Sequence, residues 1–398
     1  MAKIFIDVTQ SCRSSNNSGV QVVTRNTFKE INKVHDLTPI IWDNLLGRYS
    51  RLDKREMKNL INPFSGNYQA KIRPNKQENP FYRELLSSLL RFRKCLSLEK
   101  KPKNLDLIFF PEVFRDKRTA LLTKLLHPEL RKAAIFYDAN VLRKPSQTPQ
   151  SRIKNFQNYL NYLCNCDAIS CISKESQEAF YTHTGQGKKI RQVKVHLLPM
   201  DKPTMQVEEP FPATPLILFV STLGYNKNHL ALLKAVEILW KEGHNFQIEL
   251  IGQADPSWTP KVLVVLDRLV EKGRSVKWLH HIDQESLERK YSSCIFTVYP
   301  SLYEGFGLPI IESLIRGKPC ICGTNGALGE VSTGGGCLEI KDQSNPHQLA
   351  EAIRKLITNK PLLQSLSTEA LKRNFGSWKQ YASDLIDLFL EEDLIVKN

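Results

Sequence analysis

The chain has 398 residues, 41% hydrophobic and 24% charged, the balance of a soluble globular protein. That length exceeds what one ordinary core supports, so two domains are expected. No apolar run approaches the roughly 18 residues that span a bilayer, and residues 1–7 read as a first strand rather than a secretory signal, which points to a cytoplasmic protein. The net charge is +15 and uneven: residues 48–103 hold fifteen Lys and Arg against five Asp and Glu.

In chain order, residues 3–8 read as a strand, residues 9–19 as a polar loop ending in glycine, and residues 20–33 as a helix with Val20, Val23, Thr27, Phe28 and Ile31 on one side. Residues 80–94 read as a basic amphipathic helix. Arg91, Arg93 and Lys94 on it could meet an anionic membrane or an anionic acceptor, or the helix could simply pack on its own domain. Short buried strands follow at 106–110, 134–138, 168–172 and 195–198, with helices at 117–125, 153–164 and 174–181 between them. Such alternation argues for a parallel sheet covered on both faces.

Residues 199–215 carry five prolines and no helical period, which makes them the expected linker. A second alternating set follows. Its strands are expected at 216–220, 247–251, 276–279, 294–298 and 319–322, and its helices at 230–241, 260–271, 284–291, 309–315, 348–357 and 361–374. The fold class is therefore α/β, with two doubly wound domains at 1–199 and 215–375. Ligands in such sheets bind at the carboxyl ends of the strands.

The most informative segment is 299–312, YPSLYEGFGLPIIE. It sets Glu304 and Glu312 on either side of a glycine-containing loop that runs from a strand into a helix. Pro309 suits the start of that helix, where a missing N–H costs nothing. Free amides and the positive end of the helix dipole make such a turn an anion site, and a neighbouring carboxylate can accept hydrogen bonds from sugar hydroxyls. Gly305 and Gly307 let backbone approach a ligand closely. Lys227 follows a strand ending near Val220, so an ammonium stands where it can offset charge on a leaving diphosphate.

The 299–312 segment resembles the E-x7-E motif of the retaining glycosyltransferases of family four, which have the GT-B architecture of two Rossmann-like domains facing a cleft. Other stretches resemble the family in the same order: Ser18-Gly-Val-Gln21, residues 215–224 with Lys227-Asn228-His229, residues 276–291, Gly317–Cys322 and Gly329-Glu330-Val331. The resemblance implies that Glu304 contacts the donor sugar and Glu312 the ribose. Gly305, Phe306, Gly307 and Leu308 would line the donor site, and Gly19 would approach the donor phosphate across the cleft. Glu330 would be a further donor contact, and helix 376–398 would pack back on the first domain. It also implies catalytic or acceptor contacts at Tyr137 and Asp138, where many relatives have His-Asp. Asn226 stands where the family usually has arginine, so one phosphate clamp differs.

The expected activity is retaining transfer of a sugar from a nucleotide diphosphate to an acceptor hydroxyl, with a glycan or lipid-linked glycan of lipopolysaccharide, O-antigen or capsule type as acceptor. Contact with the inner membrane face would come through the basic helix. No cofactor and no metal are expected. The nine cysteines lack metal spacing, and His280 and His281 point apart on a strand end without a third ligand. Rival readings are a sugar-nucleotide epimerase or a phosphorylase on the same architecture, a non-catalytic binding protein, and a nucleic-acid binder. For the last, no aromatic–basic recognition motif is present.

Overall fold

The computed structural model describes residues 2–14, 18–62, 88, 91–92, 94–103, 106–185, 190, 192–203, 213–280 and 282–391. Arg93, His281 and most of the predicted helix 80–94 lie outside the described residues. The chain divides into a first unit, Met1–Leu198 with Ser377–Asn398, and a second, Pro199–Gly376.

The first unit is built on seven strands: β1 (Lys3–Asp7), β2 (Asp36–Asp43), β3 (Arg48–Arg51), β4 (Leu107–Phe110), β5 (Arg131–Phe136), β6 (Ala168–Cys171) and β7 (Gln192–Val195). They form one sheet in the order β3-β2-β1-β4-β5-β6-β7. β3 runs antiparallel to β2, and the other pairs are parallel. Every residue of β4 and of β6 is buried, as expected of parallel strands covered by helices on both faces. The helix Trp378–Leu390 belongs to this unit and sets Phe389 against Phe109, ring centroids 4.9 Å apart.

The second unit carries β8 (Leu216–Val220), β9 (Gln247–Ile251), β10 (Val276–Leu279), β11 (Phe296–Tyr299), β12 (Cys320–Gly323) and β13 (Cys337–Ile340). Their order is β10-β9-β8-β11-β12-β13, all parallel. Gly252, with φ +151°, ends β9 against the turn that leaves β8. A Cβ there would stand 1.9 Å from the Ser221 carbonyl oxygen, so only glycine allows this approach.

Each sheet has one topological switch point, between β1 and β4 in the first unit and between β8 and β11 in the second. Winding proceeds outward in both directions from that pair, so the loops leaving its two strands diverge and open a crevice at the carboxyl ends.

Several expectations shift. β2 and β3 were not expected. β2 contains Pro39, a residue that argues against a strand, but β3 pairs only from Ile40 onward, so Pro39 stands beyond that antiparallel ladder. The polar loop 9–19 contains a short helix, Thr9–Arg13, and the next helix begins at Gly19 behind a Ser18–Gln21 capping box. The strand expected at 195–198 lies at Gln192–Val195. Glu330, expected in a loop, lies in the helix Ala327–Ser332, its amide donating to the Gly326 carbonyl at 3.3 Å.

The first switch point is held by buried charge. Asp7 ends β1, and its Oδ2 accepts from Arg118 Nη1 at 2.6 Å and from the Tyr49 hydroxyl at 2.7 Å. Glu112, just past β4, reaches across to the loop after β1. Its two oxygens accept from the Gln10 and Ser11 amides at 2.6 and 2.7 Å.

Burial pushes the Glu112 carboxyl up from 4.5 to about 7, and the charge of Asp7 adds to the effect. The folded pKa exceeds the unfolded one, so between these values the folded state binds the extra proton. The stabilising contribution is complete below about pH 4.5 and is lost as pH rises to about 7. Denaturant titrations at pH 5 and pH 8 should show the wild type losing on the order of 2–3 kcal/mol more than Glu112→Gln over that span. Equal losses in the two proteins would contradict this assignment.

Candidate functional site

The loops from the second switch point bring Lys227 and Glu304 together. After β8 the chain makes a 3-10 turn, Tyr225–Lys227, and enters the helix His229–Lys241 through Asn228. Asn228 has φ +59°, the one positive φ outside glycine among the described residues, and its Nδ2 holds the Gln343 carbonyl at 2.6 Å. Such a conformation persists only where neighbours enforce it, and its effect is to turn Lys227 toward β11.

Lys227 Nζ lies 2.5 Å from Glu304 Oε1 and 2.9 Å from the Tyr299 hydroxyl. Tyr299 also donates to Glu304 Oε1 at 3.0 Å, Asn226 Nδ2 approaches it at 3.3 Å, and the Ser301 hydroxyl bonds it as well. Four donors from two loops therefore converge on one carboxylate oxygen. Oε2 accepts from no described residue. The Lys227 and Glu304 side chains are 16% and 12% exposed, so the pair is shielded from water yet reachable by a ligand.

Asn226 does more than occupy the family's arginine position. Its carbonyl accepts from the Leu302 amide at 2.7 Å, so it stitches the two loops together, and it stands 2.9 Å from Ser301 Oγ as an alternative acceptor to Glu304. His229, expected to extend the basic contact, is buried, and burial lowers its pKa to about 3. The imidazole is neutral, which leaves Lys227 as the cation of this triplet.

Glu312 stands in the helix Leu308–Leu314, a turn beyond the loop rather than in its first turn. It accepts from the Tyr291 hydroxyl at 3.1 Å, and burial raises its pKa. Gly305, Phe306 and Gly307 are buried, while Leu308 and Pro309 are partly exposed. Of the loop carried over as a ligand surface, solvent thus reaches its two ends more than its middle. Gly307 has φ +129°, a conformation that admits glycine and strains any other residue.

In the first unit Tyr137 and Asp138 line one cavity with Ser18 and Val20, the neighbours of Gly19. Gly19 is exposed at the first position of its helix. Tyr137 is buried, its hydroxyl donates to the Pro111 carbonyl at 2.7 Å, and burial raises its pKa well above 10. A phenol so committed does not act as a base. Asp138 Oδ1 accepts from the Asn140 amide at 2.8 Å.

Arg91 is corrected outright. It is buried and pairs with Asp43 at 3.0 Å and with Glu56, so it is a structural cation rather than a membrane contact. Of the three basic residues named for that contact, Lys94 alone is described and exposed. No helix among the described residues is long and apolar enough to cross a membrane.

Tyr299 and Ser301 escaped the sequence reading. Both flank Pro300 at the end of a strand, and a hydroxyl on each side of such a break was the available signal.

Residues 201–373 match the family model described as glycosyl transferases group 1. Among curated relatives, O-antigen chain mannosyltransferase B of Escherichia coli is 35% identical over 117 residues, covering 29% of this chain and 30% of that protein. The O-antigen chain mannosyltransferase RfbU of Salmonella typhimurium is 27% identical over 155 residues, covering 39% and 42%. The matched region is thus less than half the length of either relative.

Among solved structures, Anabaena HepE in complex with UDP and glucose superposes with a TM-score of 0.65 over 97% of this chain and 100% of that one, at 15% identity. A glycosyltransferase from Rickettsia africae gives 0.62 over 98% of each chain, at 18% identity. These likenesses concern the fold, two parallel-sheet α/β domains of the GT-B kind. Through residues 201–373, the chain is similar to the glycosyl transferases group 1.

Proposed function

We propose that the protein is a retaining glycosyltransferase that moves a sugar from a nucleotide-diphosphate donor to a hydroxyl of a glycan or lipid-linked glycan, in O-antigen, lipopolysaccharide or capsule synthesis. The observation that carries this reading is the Lys227–Glu304 pair at the carboxyl ends of β8 and β11, within the segment that matches the family model. The names of the O-antigen mannosyltransferases favour mannose as the sugar. The HepE complex names UDP and glucose, which makes a glucose nucleotide the second donor to try.

In this reading the diphosphate lies against Lys227 and the start of the helix Leu308–Leu314, where the first N–H groups have no intrahelical acceptor. Glu304 Oε2 accepts from a sugar hydroxyl, and Glu312 from the ribose. As the bond from C1 to the diphosphate oxygen breaks, negative charge grows on the leaving group and positive charge on the sugar ring. Lys227 stabilises the first and Glu304 the second. The acceptor oxygen bonds C1 on the face that the diphosphate leaves, and its proton passes to a diphosphate oxygen. No protein base is required, in keeping with the sealed hydroxyl of Tyr137. Lys227 and the helix amides supply the charge neutralisation that a divalent ion supplies elsewhere, so the reaction proceeds without metal.

A panel of nucleotide sugars screened by thermal shift tests the reading, because a ligand bound by the native state alone raises the melting temperature. A mannose or glucose nucleotide should stabilise the wild type, and Lys227→Ala should lose about tenfold or more in affinity. Stabilisation by no nucleotide sugar, or equal affinity in Lys227→Ala, would overturn it.

A further inference from the structure

The second switch point presents a cation that is already paired. The first presents one that is not. There the loops leaving β1, β4 and β5 enclose a cavity of about 330 Å³, lined by Gln10, Ser18, Val113, Arg115, Asp138 and Phe156. Arg115 follows β4, and its guanidinium lies over the Phe156 ring, 5.5 Å from the centroid. Its Nε is sealed from solvent with no acceptor.

Three other shielded arginines hold carboxylates, Arg91 with Asp43, Arg118 with Asp7 and Arg316 with Glu288, while Arg25 holds the Ser11 and Ser14 carbonyls. Arg115 has no ion pair among the described residues. Asp138, on the same cavity wall, accepts from the Asn140 amide. A half-buried guanidinium left without an anion carries part of the desolvation cost of a charge, and stacking on an aromatic ring recovers some of it. The planar fork of arginine suits one kind of guest, a phosphate or carboxylate gripped through two N–H groups. The switch-point crevice is also where doubly wound sheets take their ligands.

We infer that the cavity at the first switch point is a subsite for an acidic group, phosphate or carboxylate, carried by the sugar acceptor, and that Arg115 is its anchor. The inference rests on the glycosyltransferase reading for the word acceptor alone. The subsite stands on the geometry of the first unit. At the rim, Gln10 keeps one side-chain N–H beyond the one it gives to the Val113 carbonyl, while Ser18 gives its hydroxyl to Gln21. Asp138 suits a neighbouring sugar hydroxyl, so the guest is an acidic sugar rather than a bare anion.

The test is calorimetric binding of three probes to the full chain: glucose 6-phosphate, glucuronate and neutral glucose. At least one acidic probe should bind the wild type, and glucose should bind far more weakly. Arg115→Gln should weaken the acidic probe about 10–100-fold, the worth of a charge-assisted hydrogen-bond pair. Arg115→Lys keeps the charge without the fork and should fall between. Lys227→Ala should leave this binding unchanged, which separates the subsite from any phosphate contact of the donor site.

The preferred acid identifies the acceptor chemistry. Failure of both acidic probes to bind, equal binding by wild type and Arg115→Gln, or loss confined to Lys227→Ala would overturn the inference. Nucleotide-sugar binding is read in the same proteins. Its absence beside an intact Arg115-dependent site would sink the glycosyltransferase reading and spare the subsite, and the converse result would do the opposite. If Arg115→Gln does not fold, Arg115→Lys carries the test, since a structural role is met by any cation while a forked anion contact is not.

Discussion

Replacing Glu304 by glutamine should lower the turnover number by about 10²–10³-fold, the usual cost of removing one preorganised electrostatic contact from a transition state. Glutamine keeps the shape of the side chain and an oxygen where Lys227, Tyr299, Ser301 and Asn226 converge. What it removes is the negative charge, felt most strongly when the sugar becomes cationic. Nucleotide-sugar affinity should change little, because the sugar is neutral in the ground state, and the melting temperature should stay within a few degrees. Release of nucleoside diphosphate, measured against substrate concentration, separates the two effects: a loss confined to the turnover number marks an interaction made in the transition state. Turnover within threefold of wild type would mean that the loop has been misread.

The largest effect on stability should come from Arg118→Met. Arg118 and Asp7 are both 1% exposed, and the substitution leaves Asp7 buried with its hydroxyl and amide donors but without its cation. Breaking a buried pair in this way costs about 3–5 kcal/mol, which for a unit of this size lowers its melting temperature by about 10 °C. The double change Asp7→Asn with Arg118→Met should be more stable than Arg118→Met alone. Asparagine removes the uncompensated charge and keeps one accepting oxygen, enough for either Tyr49 or Thr9. A single-variant loss below about 1 kcal/mol, or a double variant no better than the single, would show that water reaches this pair.

Much of the second unit was legible because its strands are short, mostly apolar runs set between helical periods. The bounds expected for β8, β9 and β10 are those observed. The first unit hid β2 and β3, one interrupted by Pro39 and the other short and ending in arginine at both sides. Arg91 looked like a surface cation because its partners, Asp43 and Glu56, lie 48 and 35 residues away in sequence. Lys227 and Glu304 could each be singled out from local context. Their contact could not, since 77 residues separate them and the strand order of the sheet alone makes them neighbours. Arg115 carries no local signature: its interest lies in a partner it lacks, which no spacing can reveal.

A structure of the protein with a nucleotide diphosphate sugar tests the central claim most directly. The diphosphate should lie within hydrogen-bond distance of Lys227 Nζ and of an amide at the start of the helix Leu308–Leu314, with the sugar against Glu304. A ligand seated away from the β8–β11 switch point, with the Lys227–Glu304 pair untouched, would contradict the account.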